Sequence, residues 1–418
     1  MIFDALSRQK EIYLNGIGGA IPSIPTDFTA LDSRAQKKMS KEAYAYVSGG
    51  AGLESTLTEN SHTFSSHKII PRMLRGSVSS SLKVECLGYE FPAPIFMCPI
   101  GILELVHPKA DLAVAKACKL TGIPMVVSNQ ASYPMEEIAQ ILNGNPWFFQ
   151  LYVSKIEELS LSFIKRAELA GAKGIIITLD TTLLGWRNRD LNLSYLPFLK
   201  GKGIAQYTSD PIFKKIADVW PVEKANSKIN LKTILHLISL ARKIPGSFSE
   251  NMRGQALKSV RAFTQIYTQP DLNWDRIEKL KNTTSLPVIV KGILHEEDAV
   301  KAVSIGLDSI YVSNHGGRQV DGALASLEAL RNIRRRIPSD FPLWFDSGIR
   351  CGADIMKAKC LGANMIGIGR PYVYALALRG ALGVSELVKN LMSELELNMR
   401  LSGIHDVKDL NPAILSYS

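Results

Sequence analysis

Nine residues, Ser313-Asn314-His315-Gly316-Gly317-Arg318-Gln319-Val320-Asp321, set a titratable imidazole three positions from a permanent guanidinium. An imidazole near its neutral pKa takes and returns a proton at working pH. A guanidinium offers a planar fork that matches the two oxygens of a carboxylate. The two glycines between them let the backbone turn sharply and approach a ligand closely. The apolar run Ser309-Ile310-Tyr311-Val312 reads as a short buried strand, which puts His315 and Arg318 at its mouth. That pairing suits proton abstraction from a small hydroxy or keto acid.

Eight apolar runs are placed to position such groups: 93–98, 124–128, 147–152, 174–180, 287–291, 309–313, 342–346 and 365–369. Amphipathic stretches such as 157–170 and 299–304 separate them, and several end in a glycine (Gly122, Gly171, Gly306, Gly362) that suits a helix C-terminus. Runs apolar throughout suit strands covered on both faces. Eight strand-then-helix units predict the α/β class and a closed (β/α)8 TIM barrel. The open doubly wound sheet is the second choice, disfavoured because no Gly-x-Gly-x-x-Gly element follows an early strand. Polar residues fall at the C-terminal ends of the runs: Ser128, Gln150, Asp180, Lys291, Ser313 and Asp346. In this barrel that end carries the active site.

A single domain over 1–418 is predicted, with an N-terminal helical segment over 1–85 and an insertion over 185–268 after the fourth strand. A loop of that length is usually functional or mobile. It reads as a lid or packing arm with a helix near 231–242, and the part that best suits a disordered linker is 247–253.

The chain is 46% hydrophobic and 21% charged, an ordinary composition for a soluble enzyme. No apolar run is long enough to span a bilayer, and Met1–Ala5 does not resemble a secretory leader. Five cysteines without metal-like spacing suit a reducing cytoplasm, and no metal is expected. The formal charge is +10, and its densest cluster is Arg331, Arg334, Arg335 and Arg336. Helical spacing turns these arginines outward, where cations complement a helix end. No aromatic residues interleave them, so neither nucleic acid nor membrane is an expected partner.

The nonapeptide resembles the signature of the FMN-dependent L-2-hydroxy acid oxidase family, which includes glycolate oxidase, lactate oxidase and the flavin part of flavocytochrome b2. The resemblance runs from about Tyr44 to Ile404. It includes Phe149-Gln150-Leu151-Tyr152, Thr178-Leu179-Asp180-Thr181, Val290-Lys291-Gly292 and Gly369-Arg370-Pro371. Cys98–Glu104, Gly185–Leu191 and Tyr207–Pro211 look like the lactate 2-monooxygenase branch.

The resemblance implies FMN as cofactor and assigns roles. His315 is the base, with Asp180 beside it raising its pKa. Arg187, Arg318 and Tyr46 clamp the substrate carboxylate, and Tyr152 lies near the substrate hydroxyl. Arg189 is left with surface salt bridging. Lys291 ends the fifth strand and steadies negative charge on the reduced flavin. Gly348 and Gly369 offer backbone N–H groups to the phosphate, together with Arg350 and Arg370. Asp346 meets the ribityl chain, and Ser128, Gln150, Thr178 and Ser313 meet the ring system. Pro99, Ile100 and Gly101 pass the ring through their backbone.

Gly101 stands where simple oxidases of the family carry alanine, leaving more room at the flavin face. Gln130 replaces the tryptophan of the glycolate oxidase branch. The implied activity is oxidation of a small L-2-hydroxy acid, L-lactate first, by O2. Lactate 2-monooxygenase chemistry (acetate, CO2 and water) is favoured. L-lactate oxidase (pyruvate and hydrogen peroxide) and a quinone- or cytochrome-linked dehydrogenase are the alternatives, with another flavin or phosphate-binding barrel a distant one. A homo-oligomer, tetramer or octamer, is also implied.

Overall fold

A computed structural model describes residues 4–76, 80–221 and 231–417, except for the side chain at 232. Its centre is a closed parallel barrel of eight strands. These are β1 (Ile95–Met97), β2 (Met125–Ser128), β3 (Trp147–Leu151), β4 (Ile175–Thr178), β5 (Val288–Ile293), β6 (Ser309–Val312), β7 (Leu343–Phe345) and β8 (Met365–Ile368). Seven of the predicted runs contain one of them whole, and the run 287–291 covers β5 up to Lys291, two residues short of its end. Neighbours in sequence are neighbours in the barrel, and β8 closes on β1 through Ile366 opposite Ile95. Almost every strand residue is buried, as strands flanked by side chains on both faces require. Trp344 fills the middle, with its ring centroid 4.6 Å from Phe96 and 4.8 Å from Phe148.

Outer helices follow the strands: Ala110–Thr121, Met135–Leu142, Glu157–Leu169, Trp274–Lys281, Glu296–Ser304, Ser326–Arg334, Gly352–Cys360 and Arg370–Leu401. Gly122, Gly171, Gly306 and Gly362 all take left-handed backbone before the next strand, where a side chain would be strained. Arg334 departs from the expected solvated cluster. Its guanidinium donates to the carbonyls of Pro338, Ser339, Phe341 and Gly362, holding the turn after its helix.

Four helices precede the barrel (Ala5–Ile17, Phe28–Lys38, Lys41–Ser48 and Ser55–Ser66). The first two pack on the long last helix. Short strands follow them: His67–Ile69 pairs with Leu415–Tyr417, and Val84–Cys86 pairs with Tyr89–Phe91.

The insertion after β4 is helical over most of its described length, with Asn188–Asn192, Pro211–Asp218, Leu231–Lys243 and Ala256–Ile266 as its main pieces. The expected linker at 247–253 is instead helical. Asn251 is buried there, and its amide donates to the carbonyls of Ala241 and Ile244. Phe198, Tyr207, Phe213, Phe263 and Tyr267 form an aromatic core within the insertion. Tyr207 Oη donates to Asn129 Oδ1 at 3.1 Å, tying that core to the barrel. No helix among the described residues is long and apolar enough to cross a membrane.

Candidate active site

The loop after β6 turns back over the barrel through three consecutive left-handed residues, His315 (φ 58°), Gly316 (66°) and Gly317 (73°). Such a backbone is costly for histidine and persists where its surroundings over-determine it. A Cβ on Gly316 would lie 2.9 Å from Arg370 Nη1, and one on Gly317 would lie 2.6 Å from the Leu57 backbone nitrogen. Only glycine lets the loop pass between those groups.

Every polar residue of the nonapeptide is engaged. The Ser313 hydroxyl donates to Asp346 Oδ1 at 2.5 Å and accepts from Lys291 Nζ at 2.8 Å. Asn314 and Asn60 exchange amide hydrogen bonds of 2.7 and 2.8 Å. Gln319 donates to the carbonyls of Asp180 and Leu183 and accepts from Arg187 Nη2. Asp321 accepts from Leu53 N, Ser55 Oγ and Thr56 N, capping the helix Ser55–Ser66. The Ser55 hydroxyl and these amides hold the Asp321 carboxyl down at about 2.

His315 Nδ1 lies 2.7 Å from Asp180 Oδ1. Burial alone would raise Asp180, but the charges of His315 and Lys291 hold it well below the usual carboxylate range. An ionised carboxylate only accepts, so Nδ1 carries the hydrogen and Nε2 of the neutral ring is left to take a proton. The expected rise in the His315 pKa is overturned. Burial is the largest influence and pushes it down; the Asp180 charge works against that shift, while Lys291 and Arg187 reinforce it. The unfolded chain then binds this proton more tightly than the folded one. The neutral ring costs stability as pH falls through the ordinary histidine value. We expect kcat/KM to lose activity on the acid side through one protonation below 6.5, the ordinary value. A pH profile whose acid limb sits above that value would contradict the assignment.

Lys291 lies inside β5, which continues to Ile293, and does not end the strand. Its ammonium is 3.7 Å from Asp180 Oδ2 and 3.9 Å from Asp346 Oδ2. Burial opposes the charge, yet those two carboxylates outweigh it and the pKa is raised. The lysine is a fixed cation at any working pH.

Lys291 and His315 border a cleft at the C-terminal mouth of the barrel, about 1030 Å³ with its open solvent included. Tyr46, Arg187, Arg318, Tyr152 and His315 form one part of its wall. Arg318 lies over the Tyr46 ring at 4.9 Å and donates to the carbonyls of Tyr46 and Gly49. Tyr44, two residues away, points elsewhere and donates to Asp32. Arg189 pairs with Glu54 at 2.5 Å near the surface. Pro99, Ile100, Gly101, Lys291, Asp346, Gly348, Arg350, Gly369 and Arg370 form the other part.

Ser128, Gln150 and Thr178 are buried one layer below, joined through the Gln150 amide. Ser313 is likewise fully buried and is better described as orienting Lys291 and Asp346. Residues that sequence reasoning did not single out also reach the cavity. These are Cys98, Leu184, Ser347, Ile349, and Phe198 and Tyr267 from the insertion. Phe198 and Tyr267 are lone aromatic residues in the insertion, and no local signal marks them.

Arg187, Arg318, Arg350 and Arg370 converge on this cavity, and among the described residues none forms an ion pair with a carboxylate. Burial and the Arg187 charge pull Arg318 down to about 10, while burial with Arg318 and Arg350 pulls Arg370 down to about 9. Such a cluster of buried cations needs anions. The cavity ends at the start of the helix Arg370–Leu401, whose first backbone N–H groups suit a phosphate. FMN, with one phosphate and a ring that accumulates negative charge, fits this donor set. Gly348 and Gly369 with Arg350 and Arg370 would hold the phosphate, Asp346 the ribityl hydroxyls and Lys291 the ring. Arg370 also spans the carbonyls of Val47, Gly49 and Gly316, fastening the N-terminal segment to the histidine loop.

The fold and site define a flavin-dependent oxidoreductase of 2-hydroxy acids. Residues 35–417 match the family described as FMN-dependent dehydrogenase. An FMN-dependent alpha-hydroxy acid dehydrogenase of Penicillium citrinum is 34% identical over 406 residues, 97% of this chain and 94% of that one. An L-lactate oxidase of Lysinibacillus sphaericus is 33% identical, covering 97% of this chain and 96% of the other. The structure of mandelate oxidase with (S)-4-hydroxymandelic acid superimposes with a TM-score of 0.77 at 30% identity, covering 94% of this chain and 99% of that one. A flavocytochrome b2 variant with sulfite bound gives 0.76 at 27% identity, covering 94% and 87%. The chain belongs to the FMN-dependent dehydrogenase family, and FMN is its cofactor.

Proposed function

We propose that this enzyme oxidises L-lactate with O2 and retains the product long enough to release acetate, CO2 and water. The observation that carries this reading is that Phe198 and Tyr267 of the insertion line the cavity. The insertion is a packed cap whose aromatic core continues into the wall of the site, and such a cap slows product escape.

In this reading the substrate carboxylate sits between Arg187, Arg318 and the Tyr46 hydroxyl. Hydrogen bonds from guanidinium to carboxylate each contribute roughly 1.5–3 kcal/mol and fix the orientation. Burial holds Tyr152 protonated well above neutral pH, so its hydroxyl can donate to the substrate hydroxyl. His315 Nε2 takes a proton from the substrate, and Asp180 stabilises the imidazolium that results. FMN, when bound, supplies the two-electron acceptor from which O2 is reduced. Lys291 provides a positive charge that needs no reorganisation when negative charge develops beside it.

The test is to measure acetate, pyruvate and hydrogen peroxide together under oxygen, with L-lactate, glycolate, longer 2-hydroxy acids and mandelate as substrates. Acetate from L-lactate supports the proposal. Stoichiometric pyruvate and peroxide would make the enzyme an oxidase, and turnover only with an artificial acceptor would make it a dehydrogenase.

Gly101 bears on this partition. A Cβ there would lie 2.9 Å from Gln130 Cβ and 3.2 Å from Gln130 Oε1. The missing methyl therefore makes room for Gln130, beside the flavin face to which the sequence pointed. Gly101→Ala should displace the glutamine, disturb the cap side of the cavity and shift product from acetate toward pyruvate and peroxide by several-fold or more. An unchanged ratio would remove this pair from control of product release.

A further inference from the structure

The charge of the molecule is concentrated in one place. The insertion 185–268 holds 14 lysine and arginine residues against five aspartate and glutamate residues, so it accounts for +9 of the net +10. Arg187 is buried in the site, but Lys200, Lys214, Lys215, Arg242, Lys243 and Arg253 are exposed.

The helix Leu231–Lys243 lies within this field and has two apolar faces. Leu240 and Ile244 are buried, approaching Gly201 of the cap. The other stripe, Leu231, Ile234, Leu235 and Ile238, recurs at the spacing of one helical face. Leu231, Ile234 and Leu235 are 71%, 44% and 57% exposed. Arg242, four positions beyond Ile238, extends the stripe with a cation.

We propose that this face of the insertion docks on an anionic phospholipid surface, with the leucine and isoleucine stripe at the boundary between headgroups and acyl chains. An apolar stripe flanked by lysine and arginine is the chemistry of a helix lying in that boundary. Each basic residue near the bilayer adds attraction to acidic headgroups. The alternatives fit less well. A second copy docked on the same face would bring two strongly positive surfaces together. A nucleic acid would neutralise the cations but leave the apolar stripe in water. Nothing here requires a spanning segment, so the fact that no helix among the described residues is long and apolar enough to cross a membrane does not bear on it.

The full-length holoenzyme can be sedimented with vesicles of phosphatidylcholine alone and of phosphatidylcholine mixed with phosphatidylglycerol. Binding is expected to the mixed vesicles only and to weaken as salt is raised. Combined Leu231→Ser, Ile234→Ser and Leu235→Ser substitution should reduce that binding about tenfold or more, with turnover of a soluble substrate unchanged. Equal binding to both vesicle types, or undiminished binding by the triple variant, overturns the proposal. So does a fall in sedimenting mass caused by the triple substitution, because the stripe would then be a contact between copies. Salt-sensitive binding to nucleic acid without binding to vesicles also overturns it.

Discussion

His315→Ala is expected to give a yellow protein whose flavin is reduced by L-lactate about 10²–10⁴-fold more slowly. On the proposed mechanism the side chain removed is a proton acceptor rather than a support for the cofactor, whose phosphate and ring are given there to Arg350, Arg370 and Lys291. The neighbours that fix the loop, through Asn314–Asn60 and the Asp321 cap, do not pass through the imidazole. FMN content should therefore stay near one per chain while anaerobic stopped-flow bleaching collapses. Bleaching within a few-fold of the parent rate would show that another group takes the proton. Asp180→Asn should also slow reduction, since an amide can donate to Nδ1 and favour the wrong tautomer.

Lys291→Met should produce the largest loss of stability. The ammonium is the counter-charge of two buried carboxylates, Asp180 and Asp346. Removing one member of a buried charge group costs about 3–5 kcal/mol, because the others are left unpaired. The sign with pH follows. In the parent, Asp180 is held below its ordinary pKa, so its contribution is present above that value and fades as pH falls through the folded one. In the variant Asp180 has lost that support and takes up a proton more readily. The stability gap should thus narrow as pH is lowered from neutral, seen in denaturant melts of the FMN-free proteins. A gap that is small, or constant with pH, would mean that the lysine does not neutralise this pair.

Barrel and wall were readable to different depths. The eight strands were legible because a strand buried on both faces leaves a continuous apolar run, and because the helices between them end in left-handed glycines. The polar residues at the run ends marked the rim: Lys291 and Asp346 line the cavity, Asp180 and Ser313 bond to groups that do, and Ser128 and Gln150 are buried away from it. What supports them was not legible. The Asn60–Asn314 pair joins residues 254 positions apart, and such contacts leave no periodic trace in the chain. The shift of His315 was reasoned with the wrong sign because its carboxylate neighbour is visible in sequence and its burial is not. The stretch 247–253 looked like a linker because serine, asparagine and charged residues make up most of it. Tertiary packing through Asn251 overrode that local preference. Gly101 and Gln130 were both noticed, yet only the coordinates show that one makes space for the other.

The clasp between Asp321 and the helix Ser55–Ser66, with the reach of Arg370 to Val47 and Gly49, also dictates when the enzyme switches on during its own synthesis. Tyr46 belongs to the opening tenth or so of the polypeptide, while the arginines that brace its neighbours arrive long afterwards. A ribosome-bound chain lacks the last staves of the cylinder and has no place for a flavin. Flavin redox chemistry is thereby withheld until translation is nearly finished.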